Sequence, residues 1–188
     1  MEANIIYNID CLTGLRNLPD DSIDCCVTSP PYFNLRDYGV SGQIGLEDTP
    51  EQYIQKLVGV FHEVRRVLAP AGTLWVNIGD CYAGSGKGAA NYPDNAMKYK
   101  QGTNRGTVGR SAIVKKFDGY KSKDLIGIPW MLAFALRADG WFLRQDIIWA
   151  KPNPMPESMK DRCTKSHEYI FLLTKSPKYY FDCEAIHE

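Results

Sequence analysis

The chain has 188 residues, of which 44% are hydrophobic and 23% charged, and its 22 basic and 22 acidic side chains cancel to a formal net charge of zero. That length suits one domain able to bury a sizeable core, and the composition excludes the disordered, collagenous and disulfide-dense classes. No apolar run approaches the roughly 18 residues of a membrane span and no signal peptide opens the chain, so a cytoplasmic protein without membrane contact is expected.

In chain order, residues 4–10 (NIIYNID) predict a strand, and CLTGLRNL after it a short helix. Residues 22–29 (SIDCCVTS) predict a second strand. Thr49-Pro50-Glu51-Gln52 is a helix start, with Thr as N-cap, Pro in the first turn and Gln three residues after the cap. Ile54, Leu57, Val58, Phe61, Val64 and Leu68 keep helical spacing behind it. Pro70-Ala71-Gly72 is expected to stop that helix, and residues 73–79 (TLWVNIG) to form a third strand. Residues 83–123, rich in Gly, Asn and Lys, predict a flexible insertion. Residues 128–140 predict a second strong helix, and 141–150 and 167–175 two more strands. Strands alternating with helices predict a single α/β domain over residues 1–188 with a largely parallel sheet.

The balanced charge hides an asymmetry. Residues 1–82 carry 11 acidic and 5 basic side chains, whereas residues 98–123 carry eight basic ones, Lys115 and Lys116 among them, against Asp118 alone. Such a segment is either a phosphate-contacting loop, since clustered Lys and Arg release counterions from nucleic acid, or a solvated loop. The six cysteines (11, 25, 26, 81, 163 and 183) show no C-x-x-C pair or zinc spacing, and the three histidines are scattered, so no metal site is expected. AGSGKGAA (83–90) fails the Walker pattern, with Cys81 where its first Gly belongs and Gly88 where Ser or Thr should follow Lys87.

Ser29-Pro30-Pro31-Tyr32 falls where the second strand ends. In open α/β sheets ligands sit outside the carboxyl ends of the strands. The prolines fix φ and remove two backbone donors, so their carbonyls are expected to point outward as rigid, unclaimed acceptors. With the Ser29 hydroxyl and the Tyr32 ring they suit a planar, amino-bearing substrate such as a base turned out of a duplex. The structural alternative for the motif alone is a strand-ending Pro-Pro turn.

TSPPY resembles motif IV of the DNA amino-methyltransferases. IIYNIDCLTGLRNLPDDSIDCCVTSPPY is similar to that family's opening, VFHEVRRVLAPAGTLWVNIGD to its next helix and strand, and ADGWFLRQDIIWAKPNPMPES with RCTKSHEYIFLLTKS to its late strands. The early place of the motif is similar to the permuted group in which the cofactor motif comes last. The resemblance implies a Rossmann-like, S-adenosylmethionine-dependent methyltransferase sheet, mostly parallel with a late antiparallel strand, and methyl transfer to cytosine N4 or adenine N6 of double-stranded DNA. It implies that Ser29 Oγ and the Pro30 carbonyl grip the exocyclic amine, that Pro31 and Tyr32 complete the motif with Tyr32 stacking on the base, and that Ser at the first motif position leans toward cytosine N4. Asp10 matches the acidic end of the family's first strand as a cofactor ligand and Asp80 follows a later strand in the same way; a helix cap is the other reading of each. Trp149, Lys151 and Asn153 in WAKPNPMP resemble the segment beside the base pocket, with a plain strand end as the alternative. The family's Phe-x-Gly-x-Gly cofactor loop would lie beyond YYFDCEAIHE, and FDGYK (117–121) does not match it. The resemblance therefore implies an incomplete sheet: a truncated enzyme, one whose site a second chain completes, or a degenerate protein left as a noncatalytic DNA-binding module; a homodimer is a further partner expectation.

Overall fold

The computed structural model describes residues 4–84, 117–154, 156–157 and 159–186. In order, the elements are α1 (Cys11–Arg16), β1 (Ile23–Thr28), α2 (Pro50–Val67), β2 (Leu68–Ile78), α3 (Ile128–Ala138), β3 (Phe142–Ala150), β4 (His167–Thr174) and a terminal 3₁₀ turn (Glu184–Ile186). The helices and most strands fall where the apolar spacing puts them. Two compact units form, one of Met1–Ser29, Val58–Asn77 and Leu132–Glu188, the other of Pro30–Leu57 and Ile78–Met131.

The first unit holds one four-stranded sheet in the order β1-β2-β4-β3. β1 and β2 pair in parallel, while β3 and β4 pair antiparallel. The Asn77 amide donates to the Tyr169 carbonyl at 3.2 Å and Lys175 Nζ to the Leu68 carbonyl at 2.8 Å, so β4 begins beside the end of β2 and ends beside its start. β4 is therefore the antiparallel member of an otherwise parallel sheet. The carboxyl ends of β1, β2 and β3 share one edge with the amino end of β4.

Side-chain alternation along the strands separates two faces. Leu74 and Val76 on β2 are fully buried, as are Phe171, Leu172 and Leu173 on β4 to within 2% exposure. With Phe61, Val64 and Val67 of α2 and Leu132, Ala133 and Leu136 of α3 they are this unit's buried apolar residues, and alternation turns Leu172 to the face opposite Phe171 and Leu173. The register carries the other parity, Cys25 with Thr73 and Val27 with Trp75, to the opposite face. There Val27 is 78% exposed, and Trp75 Nε1 donates to Thr73 Oγ1 at 3.1 Å, which donates to Cys25 Sγ at 3.4 Å.

Two sequence expectations shift. Residues 4–10 form no strand, and Ile6 is 97% exposed. Apolar alternation stabilises a strand only against a hydrogen-bonded neighbour, and among the described residues β1 forms the sheet edge without one on its outer side. The second shift concerns Leu68 and Pro70-Ala71-Gly72. α2 ends at Val67, and β2 starts at Leu68 and runs through the Pro-Ala-Gly step. Leu68 pairs with Ile23, and a bulge between Ile23 and Cys25 absorbs the irregular residues. A Cβ on Gly72 would stand 3.0 Å from the Asp24 carbonyl oxygen, so this close strand approach needs glycine.

Three polar devices fix the ends of elements. Asp10 caps α1, accepting from Thr13 N at 2.9 Å and Thr13 Oγ1 at 3.1 Å. Arg66, in the last turn of α2, donates to the Leu15 and Leu18 carbonyls at 2.9 and 3.0 Å and pairs with Asp20 and Glu63. The predicted cap of α2 is present, with Gln52 N donating to Thr49 Oγ1 at 3.2 Å.

The second unit buries Phe33, Tyr53, Ile54, Leu57, Phe117, Ile126 and Ile128. The two flanks of residues 85–116 are tied together: Ala83 N donates to the Asp124 carbonyl and Lys123 N to the Ala83 carbonyl, both at 2.8 Å. The predicted flexible insertion, apart from these flanks, lies outside the described residues, as do Lys115 and Lys116.

Candidate active site

Ser29 follows β1 directly, and β1 ends beside β2 through the pairing of Thr28 with Val76. The next residue along β2, Asn77, comes within reach: Ser29 Oγ donates to Asn77 Oδ1 at 3.4 Å. Asn77 is held in turn, since its Nδ2 donates to the Tyr169 carbonyl of β4. The amide is thus oriented with its oxygen toward Ser29. A serine whose proton is directed at an amide oxygen presents its oxygen as an acceptor. The sequence reading did not single out Asn77, which the geometry joins to Ser29. The signal available was a polar residue on the less buried parity of a strand ending beside the motif.

The residues after Ser29 belong to the second unit. Pro30 and Phe33 are buried and Tyr32 half-buried. The expectation of two unclaimed proline carbonyls needs correction: the Tyr53 hydroxyl donates to the Pro31 carbonyl at 2.8 Å, and Tyr53 is fully buried. Burial foremost, with Glu47 second, pushes the Tyr53 phenol well above its ordinary range, so it stays a donor. The Tyr32 ring packs against Gly79: a Cβ built there would stand 2.6 Å from Tyr32 Cε2 and 2.9 Å from Cδ2.

Neither candidate carboxylate stands idle. Asp10 is exposed, and its bond from the Thr13 backbone N–H holds its carboxyl below the usual range. The strand it was expected to end is absent, and the cap reading is the one the geometry supplies. Asp80 Oδ1 accepts from the backbone N–H groups of Cys81, Gly127 and Ile128 at 2.9 to 3.0 Å. It anchors the start of α3 to the end of β2 and satisfies donors that a helix leaves open.

At the carboxyl end of β3, Trp149 and Lys151 do come together. Lys151 Nζ lies 5.2 Å from the centroid of the Trp149 ring and pairs with Glu168 on β4. Lys151 N donates to the Ser166 carbonyl at 2.7 Å, closing the strand pair. Trp149 is 49% exposed, and Asn153 stands exposed two residues beyond Lys151. Within the first unit, Ser29, Asn77, Trp149 and Lys151 thus belong to one end of the sheet. A cavity of about 680 Å³, lined by Asp24, Cys25, Thr73, Trp75 and Tyr180 among others, lies on the β1–β2 face instead. No cluster of three or more His, Cys, Asp or Glu able to hold a metal ion occurs among the described residues, and all six cysteines are free thiols. No helix of the described residues is long and apolar enough to cross a membrane.

A mostly parallel α/β sheet with one late antiparallel strand, and a Ser-Pro-Pro-Tyr step at a strand's carboxyl end, define a Rossmann-like methyltransferase sheet. The chain belongs to the DNA methylase family, whose N6/N4 methyltransferase model matches residues 23–188. It is 54% identical over 183 residues to the type II methyltransferase M.Cfr9I of Citrobacter freundii, covering 97% of this chain and 58% of that protein. Its fold is similar to that of the PvuII cytosine-N4-specific DNA methyltransferase, at a TM-score of 0.62 and 17% identity over 96% of this chain and 52% of that one. A chain assigned as a DNA modification methylase from Thermus thermophilus, solved with S-adenosyl-L-methionine, follows at a TM-score of 0.57 and 22% identity over 94% of this chain and 55% of that one. The chain spans about three fifths of the length of these and similar curated relatives that it matches.

Proposed function

We propose that this chain carries the base-gripping part of a site-specific DNA amino-methyltransferase and acts as one catalytic domain over residues 1–188. The observation that carries the reading is the orientation of Ser29, whose hydroxyl proton is turned to Asn77 at the carboxyl end of β1. An exocyclic amine conjugated to its ring is a poor nucleophile because its lone pair is delocalised. Ser29 Oγ and the neighbouring Pro30 carbonyl each accept one amine hydrogen. That favours a tetrahedral nitrogen and stabilises the positive charge that develops on it. Tyr32, packed against Gly79, offers its ring to stack on the base. Holding the amine in line for attack supplies much of the acceleration.

S-adenosylmethionine supplies the electrophilic methyl group in this reading. The solved relative from Thermus thermophilus holds that compound, and this chain's residues fit it in part. Asp10 offers an exposed, ionised carboxylate suited to hydroxyl or ammonium groups. Asp80, with its Oδ1 taken by three backbone donors, fits as support for the adjoining loop. Pro31 belongs to the motif through its fixed φ, since its carbonyl is held by Tyr53. Trp149, Lys151 and Asn153 are assigned to the base and DNA side, with Lys115 and Lys116 on the phosphates. Cytosine N4 is favoured over adenine N6 because Ser29 stands at the first motif position.

A second reading has its own support. Among the described residues β1 is an edge strand, which suits a chain whose sheet is completed by a partner polypeptide, a second chain or a second copy. In that reading the chain alone is a DNA-binding module. Transfer of tritiated methyl groups from S-adenosylmethionine to bacterial DNA by the purified chain separates the two. The enzyme reading expects incorporation that Ser29→Ala and Tyr32→Ala abolish, and mass spectrometry of the nucleosides identifies the base. Equal incorporation by all three proteins sinks the assigned roles; binding of DNA without incorporation selects the second reading.

A further inference from the structure

The Ser-Pro-Pro-Tyr step is held from behind by side chains that the proposed chemistry does not use. Tyr53 stands one turn into α2, fully buried, and its hydroxyl reaches the Pro31 carbonyl at 2.8 Å. Its ring meets Phe33 at a centroid distance of 5.3 Å, and Phe33 meets Phe117 at 5.4 Å. Phe33 and Phe117 are themselves buried, so the phenol has little freedom to swing. Just beyond the motif, Asn34 N donates to the Gly45 carbonyl at 2.6 Å. Gly45 sits at φ +103°, and a Cβ there would stand 3.0 Å from the Tyr32 carbonyl oxygen. Gly45 N in turn donates to the buried Glu47 at 2.8 Å, and Glu47 pairs with Lys56 at 2.9 Å. Lys56 lies one turn after Tyr53 on the same helix, so both attachments return to α2.

From this arrangement we infer that Tyr53 is a positioning residue for methyl transfer. Its hydroxyl pins the Pro31 carbonyl, so it fixes the Pro31–Tyr32 peptide plane and with it the placement of the Tyr32 ring. The inference rests on the reading of the motif as an amine grip. The physical reason is that prolines fix their own φ but not their ψ. The Pro30 ψ is already restricted by the proline that follows it, whereas the Pro31–Tyr32 peptide plane can still rotate about the Pro31 ψ and carry the Tyr32 ring with it. One buried hydrogen bond to the Pro31 carbonyl stops that rotation. Small misplacements of reacting groups are costly in rate, about a hundredfold for roughly 1 Å.

The test compares Tyr53→Phe with Tyr120→Phe. Tyr120 belongs to the same unit and its hydroxyl donates to Glu51 at 2.9 Å, so its loss removes a comparable phenol bond without touching the motif. Tyr53→Phe is expected to lower kcat by about ten- to a hundredfold with little change in KM for S-adenosylmethionine, while Tyr120→Phe keeps both. In protein carrying a ¹³C label at the Pro31 carbonyl, Tyr53→Phe is expected to shift that resonance and Tyr120→Phe to leave it in place. Equal kcat in the two variants overturns the inference, as does an unmoved Pro31 resonance. Should the wild-type chain transfer no methyl group to any DNA, the reading of the motif falls, and the carbonyl resonance still decides whether Tyr53 holds the loop.

Discussion

Gly79 has no side chain, and the Tyr32 ring occupies the space where one would stand. A single methyl group there forces the ring to move, because 2.6 Å is far inside carbon–carbon contact distance. Gly79→Ala is therefore expected to lower DNA methyl transfer at least tenfold while changing the melting temperature little, which parallel activity and thermal-unfolding measurements check. A second residue-scale expectation concerns Cys26. Burial foremost, with the neighbouring Cys25 next, pushes its thiol up to about 11 from an ordinary 9.0. The folded chain thus holds this proton more tightly than the unfolded chain. The stabilisation is complete below pH 9 and is lost as pH rises through 11, roughly 2 kcal/mol in all. Wild-type stability should fall more steeply than that of Cys26→Ala between pH 9 and 11 in urea unfolding curves; parallel curves would overturn the assignment. Iodoacetamide at pH 8 should label the exposed Cys163 well before Cys26.

At the scale of elements, α3 is fastened to the end of β2 by a carboxylate. Asp80 lies just past β2 and caps a helix that begins 48 residues later in the chain. Asp80→Ala leaves the Gly127 and Ile128 N–H groups without this acceptor, so a loss of about 1–2 kcal/mol is expected in urea unfolding. Asp80→Asn, which keeps one oxygen, should lose less. Much of this level was legible in the residues. The Thr-Pro-Glu-Gln start announced α2, and apolar spacing announced α3. The strand expected at 4–10 did not form, because alternation describes a strand's faces and says nothing of its partner. The boundary at Leu68 also escaped, because a bulge lets Pro70 and Gly72 sit inside a strand that the local rules would end.

For the whole molecule, the balanced net charge masks an acidic first half and the basic stretch at 98–123. If Lys115 and Lys116 contact phosphates, binding to DNA must weaken with salt in proportion to the charges neutralised. The double variant Lys115→Ala/Lys116→Ala should reduce the slope of log affinity against log salt by roughly two. An unchanged slope would assign both lysines to a solvated loop. Motif order along the chain was enough to identify the family before any fold was known, because each motif marks a strand end and their succession records the sheet.

The sequence by itself determined the α/β class, the late antiparallel strand through its resemblance, and the Ser-Pro-Pro-Tyr step as the proposed chemical centre. Each of these is a local property: spacing, capping chemistry, and the restricted backbone of consecutive prolines. Only the tertiary structure decided that Asn77 orients Ser29, that Tyr53 claims the Pro31 carbonyl, and that Asp10 and Asp80 serve as helix caps. Those outcomes depend on which residue of a distant element arrives within hydrogen-bond range. Asn77 lies 48 residues from Ser29, and Tyr53 lies 22 from Pro31. No local spacing encodes such meetings; strand register and helix placement set them.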